Sequence, residues 1–248
     1  MNKYLLLFAI VFTIDISAQQ IITDRPDQTE SSSTINKGSL QIEAGVLVEY
    51  FEKFGVNFRN VLAPTNLFRL GITEGVELRI LNQVEYLKSD KETLNLVGVS
   101  DLEIGTKVQV LRNEDVNTEI AVLSHLIVPT GGPSFTIDSY GTINKISIAH
   151  EISDDIGLGY NIGYDYFGFG DGNLTNSIAV GVGLTEKLGL YIEQFGSFIE
   201  FEDYENNFDG GITYLLRDNL QLDYSFGVGL TSKSNYVSLG FSWNIDKK

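Results

Sequence analysis

The chain has 248 residues, of which 43% are hydrophobic, 11% aromatic and 20% charged, and it contains 25 Gly, 4 Pro and no Cys. Its formal net charge of −16 argues against nucleic-acid binding, which requires a basic surface. The lack of Cys excludes disulfide bonds, thiolate nucleophiles and thiolate metal sites. A composition rich in Gly, Tyr and Phe favours sheets over helices.

The first residues have the features of a secretory signal peptide. Lys3 precedes an apolar stretch over 5–14, and small residues stand just before Gln19. This stretch is shorter than the roughly 20 apolar residues that a membrane helix needs. We predict that 1–18 is cleaved during export, the alternative being a buried N-terminal strand or helix. The polar residues 19–38 then form a separate segment.

From residue 39 to residue 245, apolar and polar side chains alternate with the period of a β-strand. The alternation defines twelve segments, most of them 10–13 residues long, and a tilted strand of about 9–11 residues crosses a bilayer. In one of them, Leu222 and Tyr224 share a face while Asp223 and Ser225 occupy the other. One segment, 118–128, is apolar on both faces, so its orientation stays open.

The connections between these segments alternate in length. Short turns are predicted at 73–75, 154–155, 185–187 and 217–219. Longer loops are predicted at 52–64, 88–95, 129–141, 168–174 and 201–206. Short periplasmic turns and longer outer loops are typical of outer-membrane barrels. The sequence therefore predicts an all-β fold, an antiparallel up-and-down transmembrane β-barrel of about twelve strands over 39–245.

Charged side chains fall on the face opposite the large aliphatic ones, and we predict that they line the lumen, because a charge facing lipid is costly. These candidates are ten acids and four bases: Glu43, Glu49, Arg69, Glu77, Arg79, Glu85, Glu103, Lys107, Lys145, Glu151, Asp165, Glu193, Asp209 and Asp223. The acidic excess predicts a cation-preferring pore or a site for amine-bearing or neutral polar solutes. The alternative is a network of ion pairs that ties the strands together across a closed interior.

The polar segment 19–38 has two interpretations. Asp24, Arg25, Asp27 and Glu30 could hold it inside the barrel as a periplasmic plug or gate, or the segment could be a flexible tail. If it is a plug, its deletion raises the conductance of the channel.

Chemistry at a catalytic site is not predicted. The chain has only two histidines, His125 and His150, which is too few for a typical zinc site. Ser124 is adjacent to His125, but neighbours on a strand point to opposite faces, so the two cannot act as nucleophile and base. His150 is expected near the membrane interface. We predict no enzyme activity, no catalytic residues, no metal and no cofactor.

Several short motifs resemble one known family. The stretch Thr23–Ser32, followed by Lys37–Gly45, resembles an outer-membrane barrel family that is named for the phenol meta-cleavage pathway and is commonly described as a transporter. Weaker similarities follow in order at 100–102, 127–131 and 221–223. The resemblance runs over roughly 23–245 and implies an outer-membrane barrel with a transport role, including transport of small aromatic or hydrophobic compounds.

The combined prediction is a channel or transporter for small solutes in a Gram-negative outer membrane. Its expected partners are outer-membrane lipid, the periplasmic chaperones, the barrel-assembly machinery and a small solute, with no nucleic acid. Two alternatives stay open: a barrel with a structural or surface-contact role and no transport, and a soluble secreted β-protein.

Overall fold

The computed structural model describes residues 21–91 and 94–246, so the predicted signal peptide lies outside the described residues. The described part forms a single antiparallel sheet. Its strands are β1 (Leu40–Lys53), β2 (Val56–Thr73), β3 (Val76–Ser89), β4 (Asn95–Val99), β5 (Leu102–Asn113), β6 (Thr118–Val128), β7 (Gly141–Ser153), β8 (Ile156–Tyr166), β9 (Asn173–Gly183), β10 (Leu188–Ile199), β11 (Asp203–Arg217), β12 (Leu220–Gly229) and β13 (Ser234–Ile245). One short 3-10 helix, Glu114–Val116, lies between β5 and β6.

The sheet closes on itself. The first strand pairs with the last, Leu40 opposite Ile245, and β2 pairs with β3. The strands β4 and β5 both pair with β3 and together form one strand that is interrupted at Ser100 and Asp101. Counted in this way, the fold is a closed antiparallel barrel of twelve strands, as the alternation predicted. Closure gives the first and the last strand a partner on both sides.

The outside of the barrel is apolar and the inside is polar. Large aliphatic side chains such as Ile162, Ile192 and Leu239 are more than half exposed. The largest fully buried side chains include Arg69, Arg79 and Lys107. This distribution is the reverse of that in a soluble protein and is typical of a membrane barrel. The described residues contain no helix long and apolar enough to span a membrane.

The predicted loop 52–64 is wrong. The strands β1 and β2 run on to a two-residue turn at Phe54 and Gly55, both of which have positive φ angles. A register shift in β2 between Leu62 and Thr65 explains the error. The extra residue at this bulge exchanges the two faces of β2, so the alternation before it does not continue the pattern after it.

The structure also corrects the bounds of one predicted loop and settles the orientation of β6. The predicted loop 201–206 is only 200–202, because β11 begins at Asp203. In β6, the strand with two apolar faces, Leu123 and Ile127 are buried, while Val122 and Leu126 are exposed. The odd-numbered side chains of β6 therefore face inward.

The two ends of the barrel differ in their connections. At one end, here called the short-turn end, the links at 74–75, 114–117, 154–155, 184–187 and 218–219 have two to four residues. At the other end, the longest link is 129–140. Residue 39 enters β1 at the short-turn end, so the segment that precedes β1 has direct access to the lumen from that side.

Candidate functional site

Residues 21–38, here called the N-terminal plug, fold back into the lumen near the short-turn end. Their backbone is held by side chains of the wall. The carbonyl of Ile22 accepts hydrogen bonds from Gln41 and Arg69, and the amide of Ile35 donates to Glu77. On the opposite side, the amide of Gln28 donates to Glu193 at 2.7 Å. The plug is thus bound to both halves of the wall.

A basic part of the wall surrounds the carboxylate of Asp24. Lys107 donates to it at 2.8 and 2.9 Å, Arg79 contacts it at 2.5 Å and Arg69 lies at 3.3 Å. Glu30 adds a second carboxylate, 2.9 Å from Arg79 and 3.5 Å from Lys107. Burial disfavours the ionised form of Asp24, but the three cations outweigh it and hold the pKa of this carboxyl well below its ordinary value.

The next plug residue carries the opposite charge and binds an acid. Arg25 donates to the two oxygens of Asp223 at 2.9 and 3.2 Å and to Ser238 at 3.1 Å. Its guanidinium lies over Gly45 and Gly240, which are paired across β1 and β13. A Cβ atom on Gly240 would approach the guanidinium to 2.2 Å, so these glycines form the space that Arg25 fills.

A third contact brings carboxyl groups together without a base. Glu193 and Asp209 are opposite one another on β10 and β11. Thr29 donates to Glu193 and Tyr236 donates to Asp209. Burial and the neighbouring Glu193 raise the pKa of Asp27 well above its ordinary value. The neutral form of Asp27 is therefore favoured beside these two carboxyl groups.

A cavity of about 900 Å³ separates the plug from β5–β9. It reaches the short-turn end, since its lining includes 74–75 and 117–119. Its charged lining residues are Asp27, Glu30, Glu74, Arg112, Glu119 and Glu151. The cavity therefore has an acidic surface, and it leaves room beside the plug.

The structure brings most of the predicted lumen residues into this site. Eight are almost completely buried on the inner face: Glu43, Arg69, Glu77, Arg79, Lys107, Glu193, Asp209 and Asp223. Five are partly buried on strand positions outside this group: Glu49, Glu85, Glu103, Lys145 and Asp165. Glu151 is exposed at the short-turn end. The four plug candidates Asp24, Arg25, Asp27 and Glu30 lie inside the barrel.

Some residues of the site were not among the predicted ones. His125 is buried; its Nε2 atom accepts from Arg79 at 3.0 Å and its Nδ1 atom lies 2.8 Å from Glu103. The sequence did not decide which face of β6 points inward, so His125 could not be assigned to the lumen. The tyrosines Tyr191 and Tyr236 face the carboxyl cluster. Their positions on the polar face of their strands are the only sequence signal that could have indicated them.

The two histidines lie in different surroundings. His125 is held between Arg79 and Glu103, whereas His150 contacts the hydroxyls of Thr118 at 2.8 Å and Tyr160 at 3.2 Å near the short-turn end. Within 21–91 and 94–246, no group of three or more His, Asp or Glu side chains has an arrangement suited to a metal ion.

The fold and the site define a class: a transmembrane β-barrel whose own N-terminal segment occupies part of its lumen. The family model described as "Putative MetA-pathway of phenol degradation" matches residues 23–245. The chain belongs to this family. The match begins inside the plug and ends in the last strand, so it covers both parts of the site. No curated protein matches the chain.

Solved structures of similar fold include an outer-membrane channel and porins. An outer membrane channel from Pseudomonas putida F1 superposes with a TM-score of 0.68 at 12% identity, covering 86% of this chain and 98% of that one. The KdgM porin, solved in complex with disordered oligogalacturonate, gives 0.58 at 10% identity over 83% and 99%. The NanC porin gives 0.53 at 8% identity over 81% and 98%. At such low identities the similarity concerns the fold.

Proposed function

We propose that this protein is an outer-membrane channel for small solutes whose lumen is closed by the N-terminal plug. The observation that carries the proposal is the charge complementarity between plug and wall. Asp24 binds the basic part of the wall while the adjacent Arg25 binds Asp223. In a flexible tail, charges complementary to two separate parts of the wall are not expected. The membership of a family with channel-like relatives supports the same function.

The location follows from the same proposal. The barrel crosses the outer membrane with the short-turn end in the periplasm, because short turns face the periplasm in such proteins. Export through cleavage of 1–18 and insertion by periplasmic chaperones and the assembly machinery are parts of this proposal. The polar interior and the apolar exterior fit residence in lipid, and the apolar exterior argues against the soluble secreted alternative.

A conductance measurement on the refolded full-length chain tests the channel and its plug together. Wild-type protein in planar bilayers is expected to conduct weakly, and deletion of 21–36 is expected to raise the conductance. Asp24→Asn with Arg25→Gln should raise it as well, because both anchors lose their charge. The matched control is Asp218→Asn with Lys187→Gln, at exposed turns of the short-turn end.

The two alternatives make different predictions in this experiment. A structural barrel without transport gives no conductance even after the deletion. A flexible tail predicts equal conductance for the wild type, the deletion and the double variant. Either result would contradict the proposed closed channel, whereas an increase confined to the two plug variants supports it.

The ion preference is a separate proposal. Acidic side chains outnumber basic ones in the cavity beside the plug, where only Arg112 opposes five acids among the charged lining residues. An acidic mouth concentrates cations. We therefore expect small ions that leak through the wild-type protein to be mainly cations. A reversal potential in a salt gradient measures this, and a preference for anions would contradict it.

The identity of the solute stays a proposal from family membership. The family description refers to phenol degradation, so small aromatic compounds are the first solutes to test. Swelling of proteoliposomes in phenyl glucoside or salicin, which are neutral aromatic solutes that do not cross lipid unaided, measures their passage, with the plug deletion as the open reference. Failure of both forms to pass these compounds while they pass a small sugar would remove the aromatic preference but leave the channel.

A further inference from the structure

Two buried wall residues of opposite charge depend on the plug for their ion pairs. Lys107 is completely buried, and among the described residues its ion pairs within 4 Å are with Asp24 and Glu30 alone. Asp223 is also buried, and in the same part of the chain its one ion pair is with Arg25. All three partners belong to the plug. When the plug leaves, both wall charges lose their counter-ions.

The two buried arginines of the wall, Arg69 and Arg79, also have ion-pair partners outside the plug. Arg69 is paired with Glu77 at 2.8 Å and with Glu43 at 3.0 Å, and Arg79 retains Glu77 at 3.0 Å. The pairs of Arg69 join different strands and the pair of Arg79 lies within β3, so none of them involves the plug and all survive without it. Lys107 and Asp223 differ from the two arginines, because each of them loses every ion pair within 4 Å that the described residues provide when the plug leaves the lumen.

Two consecutive plug residues form the ion pairs with Lys107 and Asp223. Asp24 provides a carboxylate to Lys107, and Arg25 provides a guanidinium to Asp223. The two wall groups are thus within reach of adjacent side chains on one short peptide. We propose that the open channel binds a small zwitterion, with its carboxylate on Lys107 and its guanidinium or ammonium group on Asp223, in place of Asp24 and Arg25.

Such a ligand opens the channel by binding the undocked state. A solute that restores both ion pairs has affinity for the open lumen and none for the closed one, so it shifts the population towards the open state. Simple anions restore only the pair with Lys107 and must cross an acidic cavity. Simple cations restore only the pair with Asp223. The cavity of about 900 Å³ gives the plug space to move aside.

The inference rests on the proposed function, and a reporter on the plug tests it apart from transport. The chain has no Cys, so Ser32→Cys introduces the only thiol. Ser32 is 3% exposed in the docked plug. The measurement is the rate at which a cationic, membrane-impermeant methanethiosulfonate labels this thiol in the full-length protein, with and without a probe solute.

The probes form a matched set. The zwitterions are γ-guanidinobutyrate and its longer homologue ε-guanidinocaproate, and the singly charged analogues are butyrate and butylguanidinium. We expect a zwitterion to raise the labelling rate about fivefold or more, within the usual range of coupling between two sites. The singly charged analogues should leave the rate near its value without a probe. Equal responses to all probes, or none, would overturn the inference.

Substitutions test whether Lys107 and Asp223 each bind one end of the zwitterion. Lys107→Met should remove the response to the zwitterions, and Asp223→Asn should reduce it to the response given by butyrate. Lys187→Met, in an exposed turn, is the control and should respond like the wild type. Retention of the full response in either site variant would sink the proposal.

A variant in which the thiol is already labelled rapidly without a probe needs a second measurement, and solute flux provides it. In proteoliposomes, the ratio of γ-guanidinobutyrate to butylguanidinium flux should fall in Lys107→Met, and an unchanged ratio would count against the site. If the plug deletion passes neutral solutes but the wild type shows no preference for zwitterions, the inference fails and the channel stands. If no form passes any solute, the proposed function itself fails.

Discussion

Asp24 and Asp27 are three positions apart on the plug, yet their carboxyl groups meet opposite electrostatic surroundings. Burial acts against ionisation of both. At Asp24 the charges of Arg69, Lys107 and Arg79 outweigh burial and lower the pKa. At Asp27 the neighbouring Glu193 adds to burial and raises the pKa. The plug therefore needs Asp24 charged and Asp27 protonated in order to dock well.

These shifts predict how plug docking depends on pH. A raised pKa means that the docked state retains the proton of Asp27, so docking weakens as the pH rises above the ordinary Asp value of about 3.9 and stops weakening above the raised value. The lowered pKa of Asp24 acts in the opposite sense, because its contribution is present above the ordinary value and disappears as the pH falls through the lowered one. Conductance should therefore rise towards both extremes of pH.

The variant Asp27→Asn separates the predicted rise of conductance at high pH from the rise at low pH. The amide stays neutral, so the rise of conductance with increasing pH should be reduced, whereas the rise at acidic pH should remain. Single-channel recordings of wild type and variant over the same pH series measure this. The same increase of conductance with rising pH in both proteins would show that Asp27 does not couple docking to pH.

The glycines beneath Arg25 give a second prediction. Gly240→Ala places a methyl group where the guanidinium lies, so Arg25 must move away from Asp223 and the docked plug is weakened. Gly181→Ala is the control, since a Cβ atom there meets nothing within 4 Å. We expect higher conductance from Gly240→Ala alone. If both variants behave like the wild type, the guanidinium does not need this space.

At the scale of the strand, alternation predicts the inward face well because a β-strand has a period of two. The alternating polar positions of β3 and β12, such as Arg79 and Asp223, are buried as expected. The prediction failed where a bulge in β2 exchanges the faces, and it stayed open at β6, where both faces are apolar. Which inward residues contact the plug could not be predicted, because those contacts depend on how a non-periodic segment folds.

The interruption between β4 and β5 orders the longest loop. Asp101 accepts hydrogen bonds from the amides of Gly131 and Ile137, both at 2.8 Å. Burial opposes ionisation, but these amides outweigh it and lower the pKa of Asp101. Asp101→Ala should therefore loosen the loop 129–140, with a loss of roughly 1.5–3 kcal/mol for each bond to a charged group.

Proteolysis measures this change. The loop in Asp101→Ala is expected to be cut faster by an external protease, while heat-modifiable mobility in gel electrophoresis shows that the barrel is still folded. Asp138→Asn, in the same loop, is the control because Asp138 is exposed and asparagine tolerates its φ angle of 58°. Equal cleavage of the two variants would show that Asp101 does not hold the loop.

At the scale of the whole molecule, the sequence was sufficient to predict the closed barrel but not its filled interior. Closure follows from strands long enough to cross a bilayer with one apolar face, because an open sheet edge is not stable in lipid. The charges of the lumen were predicted as a set, while their division into a basic part around Lys107 and an acidic part around Asp209 appears only when the strands are arranged in a ring. The same ring allows one short segment to bind both parts.

The orientation of the two faces makes a final prediction about stability. Ile178 and Gly181 lie on the same strand, β9, but Ile178 is 45% exposed on the outer face, whereas Gly181 lines the inner cavity with open space around it. Arg at Ile178 places a charge in lipid and should cost about 2–4 kcal/mol near the middle of the bilayer. Arg at Gly181 enters the acidic cavity and should cost little. Urea unfolding in lipid vesicles measures both variants, and equal destabilisation would mean that the apolar face does not contact lipid.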